Sequence, residues 1–439
     1  MNNFTLKAQL SLMTFLQFAV WGAYLISMGM FLGSNGLGDK VFWFYTVQGL
    51  VSIFMPALIG IVADRWIPAQ KTLSLCHLIA GASMIAAGLV ASQQLVETGT
   101  LQFEPLFVFY TISVAFYMPT LGLSNAVAFN GLEKNGLSTV SDFPPIRVFG
   151  TVGFICAELF VNFVSLGDGV TIQHSYTQFY VSGALSLLLS GYSLTLPKCP
   201  IKQNAGKGLA EALGLKAFKL FKSKQMAIFF IFSMLLGVSL QITNTYGSTF
   251  INHFNRIPEF QGDFWAENPT FLISISQCAE ALCILLIPMC LRKFGIKGVM
   301  LMAMFAWVLR FGFFGIGNTA FPGYIFLILS CIVYGVAFDF FNVSGGIYVD
   351  TQTDPAQRSS AQGLFMLMTN GIGASIGTFV AGKYVVNKLV NQEAPILEQS
   401  AGWTDSWLIF AAYALIVAVL FFFMFKAPKN TTTDAALHK

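Results

Sequence analysis

Long apolar runs alternate with short polar interruptions along the whole chain. A helix needs about 20 consecutive apolar residues to cross about 30 Å of hydrocarbon. Cutting the sequence at its charge clusters and turn signals leaves twelve runs of this kind. They cover residues 8–32, 41–63, 72–93, 106–130, 146–166, 176–194, 226–250, 269–291, 298–317, 323–348, 360–383 and 403–425. The pattern predicts an all-α integral membrane protein with twelve transmembrane helices.

The composition supports a membrane protein that crosses the bilayer many times. Of the 439 residues, 55% are hydrophobic and 10% are charged, whereas ordinary soluble domains carry about 25% charged residues. The first run follows Lys7 but lacks a small-residue cleavage site, so we expect it to be retained. Most of the seven cysteines lie in apolar runs without zinc-ligand spacing, which favours packing roles.

A polar, lysine-rich interruption divides the runs into two groups of six. This organisation predicts an N-terminal six-helix bundle at 1–196 and a cytoplasmic linker at 197–225. A C-terminal six-helix bundle with a short cytoplasmic tail follows at 226–439. Within the linker, 209–221 is a candidate surface helix whose lysines would meet anionic headgroups. Transporters built from two such halves alternate access around a site near the middle of the membrane.

Lysine and arginine residues are distributed unevenly between alternate loops. With the N-terminus inside, 18 of them fall in inner loops and tails and 4 in outer loops. The positive-inside rule then predicts that both termini are cytoplasmic. The net charge of +4 is accounted for by this inner excess, so no nucleic-acid partner is predicted.

One apolar run carries an acid in its middle. The stretch IVYGVAFDFFNVSGG contains Asp339, and a carboxylate at mid-bilayer costs about 2.5–3.5 kcal/mol on insertion scales. Tyr334, Phe338 and Asn342 recur around it at helical spacing, so aromatic, amide and acid groups share one side of a helix. Such a face fits a substrate site, and it also fits a polar network between packed helices.

Two further helices of the second half carry polar pairs. Gln241 and Asn244 form one pair, and Gln277 and Glu280 form the other, each at i, i+3 on one face. Every one of these groups needs a partner in a dry environment, which favours a polar cavity. Arg310 lies near the outer third of its helix, where it either pairs with an acid or reaches outward. A structural role is favoured for Arg310.

The first half carries one comparable face. Arg147, Thr151 and Phe154 follow at i, i+4 and i+7 after a candidate helix cap at Asp142. Two placements of Arg147 stay open. Its long side chain extends to the inner headgroups if the helix starts at the membrane surface, and it reaches a cavity if the helix begins deeper. Glu158, one turn further, has no role that the sequence assigns.

The segment after the second run resembles a known transporter loop. It reads Gly60, Ile, Val, Ala, Asp64, Arg65, with a glycine that allows close backbone approach and a charged pair at the membrane boundary. It is similar to the signature loop of the major facilitator superfamily, whose charged pair latches helices on the cytoplasmic side. The glycine and bases expected beyond Arg65 are replaced by Trp66 and Ile67. The resemblance implies a cytoplasmic gate loop at Gly60, Asp64 and Arg65.

The buried polar set combines amides and acids with flat aromatic faces. Such groups suit a neutral ligand with a flat ring and several hydroxyls, as in a nucleoside or a sugar. Carboxyls in a low dielectric hold protons readily, so Glu280 and Asp339 are candidates for carrying a coupling proton. The sequence offers no nucleophile–base cluster, metal-ligand set or nucleotide-cradling glycine loop. We therefore expect neither an enzyme nor a metal or organic cofactor, and H+ as the coupling ion.

Longer stretches resemble one family nearly end to end. The chain is similar to the bacterial nucleoside permeases of the nucleoside:proton symporter family, a branch of the major facilitator superfamily. The matching stretches are FLQFAVWG, MPALIGIVADRW, YMPTLGL, DFPPIRVFGTVGF, KQMAIFFIFSMLLGVSLQITN, VYGVAFDFFNVSG and SAQGLFMLMTNG. The resemblance implies proton-coupled nucleoside import by alternating access around a central cavity between two bundles. We expect a monomer in the lipid bilayer of the bacterial cytoplasmic (inner) membrane.

The same resemblance implies a set of substrate-binding residues. The positions associated with the ligand cavity are Arg147, Thr151, Phe154, Gln241, Asn244, Gln277, Glu280, Tyr334, Phe338 and Asp339. This association favours the deeper placement of Arg147. A proton-coupled sugar or oligosaccharide symporter of the same superfamily is the alternative, because sites that bind hydroxyl groups look alike.

Overall fold

The computed structural model describes residues 2–167, 169–200, 215–353 and 358–426, and these residues are almost entirely helical. The chain divides into two compact units, Met1–Leu213 and Gly214–Lys439. The predicted surface helix at 209–221 lies partly outside the described residues, and its last part belongs to a 3₁₀ helix at Leu215–Lys222. The side chain of Asp64 and the tail beyond residue 426 also lie outside the described part of the chain.

Unit 1 contains seven α-helices within its described residues. They are α1 Asn3–Gly22, α2 Met28–Leu32, α3 Val41–Arg65, α4 Ala69–Thr98, α5 Phe103–Lys134, α6 Thr139–Phe163 and α7 Thr177–Ser193. Short π or 3₁₀ segments lie at Gly33–Leu37, Gly38–Lys40 and Ile172–His174. The predicted first run, 8–32, is therefore broken between α1 and α2.

Unit 2 begins its long helices at Lys224. Its α-helices are α8 Lys224–His253, α9 Phe264–Glu267, α10 Pro269–Ile284, α11 Ile287–Ile316, α12 Gly323–Gln352, α13 Arg358–Met366, α14 Ala374–Val380, α15 Asn387–Leu389 and α16 Ile396–Met424. Segments of π-helix at Leu367–Gly373 and Ala381–Val386 follow α13 and α14, and 3₁₀ turns lie at Phe254–Arg256 and Pro258–Phe260. α11 bends at Gly295, whose φ is +66°, a conformation that glycine adopts without strain.

Nine helical stretches within the described ranges are long and apolar enough to cross a membrane. They coincide with nine of the twelve predicted runs. The other three runs contain α1, α7 and α10, which have 20, 17 and 16 residues. The chain is a multi-pass membrane protein, and the count of twelve crossings stays a prediction.

Glycines allow backbone contact between helices inside each unit. A side chain at Gly22 of α1 would collide with the carbonyl of Phe154 on α6. In unit 2, a side chain at Gly237 of α8 would collide with the carbonyl of Thr369. In a membrane the hydrophobic effect does not drive helices together, because lipid tails are as apolar as the side chains. Small residues at the contact let helices pack closely instead.

A buried hydrogen-bond chain joins four helices of unit 1. Gln17 Nε2 on α1 donates to Thr120 Oγ1 on α5 at 2.7 Å, and Gln17 Oε1 lies 2.9 Å from Nε2 of His77 on α4. Nδ1 of His77 lies 2.9 Å from Ser186 Oγ on α7. These side chains are fully buried, so the bonds satisfy groups that would otherwise be costly to bury.

The predicted gate loop is helical, which corrects the sequence interpretation. α3 continues to Arg65, so Gly60, Asp64 and Arg65 belong to its last two turns, and residues 66–68 alone separate it from α4. A charged pair ends an apolar run without ending the helix, because charged side chains at a helix end can reach water. A side chain at Gly60 would meet no atom within 4 Å among the described residues, so the predicted close approach is absent there.

Candidate substrate and proton site

Unit 2 places the predicted polar side chains on three helices. Gln241 and Asn244 lie on α8, Gln277 and Glu280 on α10, and Asp339 on α12. α10 packs against both of the other helices. Gln241 and Asp339 are buried, with 8% and 5% exposure, and the other three are half-buried. The polar groups therefore lie inside the unit and away from its exposed apolar surface.

A glycine sets the contact between α10 and α12. A Cβ at Gly335 would lie 2.6 Å from the carbonyl oxygen of Ala279 and 2.8 Å from Cys283 Sγ. Glu280 directly follows Ala279, and Asp339 is one turn beyond Gly335. The two acids consequently stand on neighbouring turns of helices in backbone contact.

The amides of this group are partly occupied by local bonds. Asn244 Nδ2 donates to Gln241 Oε1 at 3.4 Å, so this predicted pair interacts directly. The amide of Gln277 fits its surroundings with Nε2 directed at the carbonyls of Ile273 and Ser274, at 2.8 and 3.2 Å. Gln277 therefore donates within its own helix, and its oxygen is the group that can accept from a ligand.

Two aromatic rings on α12 form a flat surface. The rings of Tyr334 and Phe338 are nearly parallel, with an interplanar angle of 3° and 5.7 Å between centroids. Trp307 of α11 meets Tyr334 edge to face at 5.9 Å. The Arg310 guanidinium carbon lies 4.4 Å from the centre of the Tyr334 ring, close enough for a cation–π contact. These neighbours hold the ring of Tyr334 in place.

Arg310 is buried, with 2% exposure, so of the alternatives left open for it, the one in which it reaches outward does not hold. Its Nη1 donates to Ser276 Oγ on α10 at 3.2 Å and to the carbonyl of Ser330 on α12 at 2.9 Å. Arg310 thus joins three helices behind the aromatic surface. The favoured structural role agrees with these contacts.

A small cavity of about 20 Å³ opens beside Phe338. Its lining includes Phe338, Trp307, Asn342 and Asn370, together with apolar side chains of α8. Small-molecule sites usually measure about 300–1,000 Å³, so a cavity of this size has room for about one water molecule. Asn342 belongs to the predicted polar face around Asp339, where its spacing four residues after Phe338 placed it, but not to the predicted substrate-binding set. Asn370 was absent from both.

Unit 1 presents its polar face on α6. This helix begins at Thr139, so Arg147 stands eight residues along it, about 12 Å from its start. Asp142 is not the cap but lies in the first turn, where it accepts from the backbone N–H of Ser138 at 2.9 Å. Lys7 Nζ lies 2.6 Å from the Asp142 carboxylate at the same helix end. This geometry favours the deeper placement of Arg147.

Aromatic side chains of α1 accompany this face. The guanidinium carbon of Arg147 lies 4.0 Å from the centre of the Phe18 ring, within cation–π distance. A Cβ at Gly150 would come within 2.7 Å of Arg147 Nη1, so the glycine leaves space for the guanidinium. Phe154 meets Trp21 edge to face at 6.3 Å. Thr151 is half-buried between Arg147 and Phe154.

Acids, amides and aromatic rings buried within long apolar helices define a membrane transporter for a polar solute. Acids inside such helices usually mark substrate and ion pathways, because burying them in a membrane is costly. The helical architecture is the major facilitator superfamily fold, as comparison with solved structures confirms.

Comparisons with known proteins agree over nearly the whole chain. The family model described as nucleoside H+ symporter matches residues 4–430. The chain is 43% identical to the xanthosine permease of Escherichia coli K12 over 425 residues, 96% of each protein. It is also 43% identical to the nucleoside permease NupG of the same strain over 424 residues, again 96% of each. The chain therefore belongs to the nucleoside H+ symporter family.

Solved structures agree with this assignment. The crystal structure of the nucleoside transporter NupG superposes with a TM-score of 0.85 at 42% identity, covering 98% of this chain and 100% of that one. The inward-open xylose transporter XylE from E. coli has a TM-score of 0.64 at 13% identity, covering 99% of each chain, and shares the fold alone. These comparisons confirm the predicted family, fold class and transporter function. The relatives of this chain are permeases rather than enzymes.

Proposed function

We propose that this proton-coupled nucleoside symporter holds the base of its substrate against the rings of Tyr334 and Phe338. The observation that carries the proposal is the pair of parallel rings on α12 beside two acids on touching helices. A base stacks on aromatic faces regardless of its hydrogen-bonding edge. Ribose hydroxyls donate hydrogen bonds, and the carboxylates of Glu280 and Asp339 can accept them.

The amides of unit 2 complete this set. Gln241 and Asn244 bond to each other at 3.4 Å, a long contact that a substrate hydroxyl or base edge can replace. The oxygen of Gln277 accepts from the same substrate. Each of these groups is positioned by a long helix, which limits the ordering cost of binding.

We assign Arg147, Thr151 and Phe154 of unit 1 to nucleoside binding as well. The guanidinium of Arg147 is held over Phe18, and its donors suit the carbonyl oxygens of a base. The hydroxyl of Thr151 and the ring of Phe154 add a hydrogen bond and an apolar face. Loss of transport with retained folding in the Arg147→Lys variant would support this role.

Glu280 and Asp339 are assigned to binding the coupling proton. The protein lies in the bacterial inner membrane with both termini on the cytoplasmic side. Uptake by a single chain then couples inward nucleoside movement to inward proton movement. The last turns of α3, with Gly60, Asp64 and Arg65, act as the cytoplasmic gate in this proposal.

The test is uptake of tritiated uridine into proteoliposomes with an imposed pH gradient. Unlabelled xanthosine or adenosine should compete, and glucose should not. Glu280→Gln and Asp339→Asn should lose gradient-driven accumulation, whereas Glu259→Gln, an exposed acid outside the long helices, should match the unsubstituted protein. Competition by glucose but by no nucleoside would favour the sugar symporter alternative and refute the proposal.

A further inference from the structure

Glu158 is a buried acid that the proposed site does not use. It lies on α6 with 0% exposure, and neither of its carboxyl oxygens has a hydrogen-bond partner among the described residues. It follows Arg147, Thr151 and Phe154 on the same face of the helix, one turn beyond Phe154. The polar face of unit 1 therefore continues to a buried acid, and no hydrogen bond among the described residues stabilises its carboxyl group.

Tightly packed apolar groups flank this turn. Ala157 and Val161 pack with Ala19 of α1 and with Ala23, the residue after this helix. α1 also touches the backbone of α6 through Gly22, whose missing side chain allows the contact. This arrangement leaves Glu158 beside close helix packing, in a place where a charge would have no compensating group.

The titratable groups on the elements packed against α6 do not bond to Glu158. α6 packs against α1, α5 and the 3₁₀ turn at Ile172–His174. Lys7 of α1 pairs with Asp142, and the hydroxyl of Tyr117 on α5 donates to the carbonyl of Gln17. The remaining titratable groups on these elements, on the loop after α1 and on α6 itself are Tyr24, Glu104, Tyr110, Glu133, Lys134, Arg147, Cys156 and His174.

We infer that Glu158 is a proton-binding site of the transport cycle and that it carries its proton in this conformation. Burying an ionised carboxylate without a partner costs far more than burying the neutral acid. The carboxyl therefore holds a proton while α1 and α6 are packed in this way. When the helices part and water reaches the side chain, the proton leaves to water. One O–H bond forms on loading and breaks on release, with no other covalent change.

This inference rests on the proposed proton-coupled transport and adds a second proton site, in unit 1, to the acids of unit 2. A proton at Glu158 would respond to the packing of α1 against α6, next to the face that carries Arg147. Substrate binding on that face and protonation at its end are thus linked through one helix.

The experiment compares two transport modes of the full-length protein in proteoliposomes. Uridine counterflow needs no gradient, whereas accumulation under an imposed pH gradient needs proton coupling. We expect Glu158→Gln, which keeps the shape of the neutral acid, to retain counterflow and to lose gradient-driven accumulation. Glu158→Asp should keep part of the accumulation. Glu133→Gln, an exposed acid at the end of α5, is the matched control and should match the unsubstituted protein in both modes.

Infrared difference spectroscopy of the purified protein gives a second measurement that does not need transport. A protonated carboxyl has its own carbonyl stretching band, and we expect this band to be lost in Glu158→Gln and shifted in Glu158→Asp. Gradient-driven accumulation by Glu158→Gln equal to that of the unsubstituted protein, or an unchanged carboxyl band, would overturn the inference. Absence of uridine counterflow in the unsubstituted protein would instead refute the proposed function.

Discussion

A methyl group at Gly335 tests whether contact between α10 and α12 sets the position of the two acids of unit 2. The new Cβ would lie 2.6 Å from the carbonyl oxygen of Ala279, whereas ordinary contact begins at 3.4 Å. The helices must therefore separate by about 0.8 Å, the difference between these distances. Because the nearest atoms belong to backbone, they cannot rotate away, and the shift moves Glu280 relative to Asp339.

The magnitude follows from two opposing terms. Overpacking a close contact costs about 1–3 kcal/mol, while alanine in place of glycine gains about 1 kcal/mol in a helix interior. The net loss of stability is therefore about 0–2 kcal/mol. A displacement of about 1 Å at a site can lower a rate by about 100-fold. We therefore expect the rate of uridine uptake by Gly335→Ala to fall by up to about 100-fold, while its free energy of unfolding falls by at most about 2 kcal/mol.

The control lies on the same helix. A Cβ at Gly346 would be 3.7 Å from the nearest atom, Gln362 Oε1, so Gly346→Ala adds no clash. Uptake in proteoliposomes and thermal unfolding in detergent, followed by fluorescence, give the two measurements. Adding Cys283→Ala to Gly335→Ala removes the sulfur contact and leaves the carbonyl contact, so it should not restore uptake. If Gly335→Ala equals Gly346→Ala in both measurements, the reasoning is refuted.

Three further substitutions separate binding from folding. Phe338→Leu removes one of the parallel rings and should weaken uridine binding in calorimetry by about 1 kcal/mol; an effect no larger than that of Phe313→Leu, in another ring pair, would contradict the stacking role. Gln17→Leu should cost about 1–3 kcal/mol of unfolding free energy with the uridine Kd unchanged, and an altered Kd would place Gln17 in the site. Lys7→Gln should cost at most about 1 kcal/mol, since Lys7 is 42% exposed, and less at high salt; a larger, salt-independent loss would contradict a surface ion pair.

The long helices were predictable from the length of the apolar runs, but their ends were not. Charged residues mark where an apolar run ends, yet α3 continues through Gly60 to Arg65 as a helix. Within the first predicted run the helix is interrupted after Gly22, where the sequence has no charged residue or proline to indicate it. Hydrophobicity reports where a segment can cross lipid, whereas helix ends depend on backbone bonds and neighbouring contacts.

The site was predictable only within single helices. Spacing placed Tyr334, Phe338 and Asp339 together on α12, and the structure keeps the two rings parallel. Spacing did not reveal that Arg310 is buried behind Tyr334, because this contact joins different helices. Asn370 was missed for the same reason, since its place beside the pocket depends on packing between helices. Contacts across helices require the register that glycines such as Gly335 set.

The central claim is that buried acids within apolar helices carry a proton together with a nucleoside. Its most direct test records internal pH in proteoliposomes with a trapped dye while uridine is added outside, without an imposed gradient. The account predicts internal acidification with the unsubstituted protein and none with the Glu280→Gln, Asp339→Asn double variant. Entry of tritiated uridine into the same vesicles without any internal acidification would contradict it.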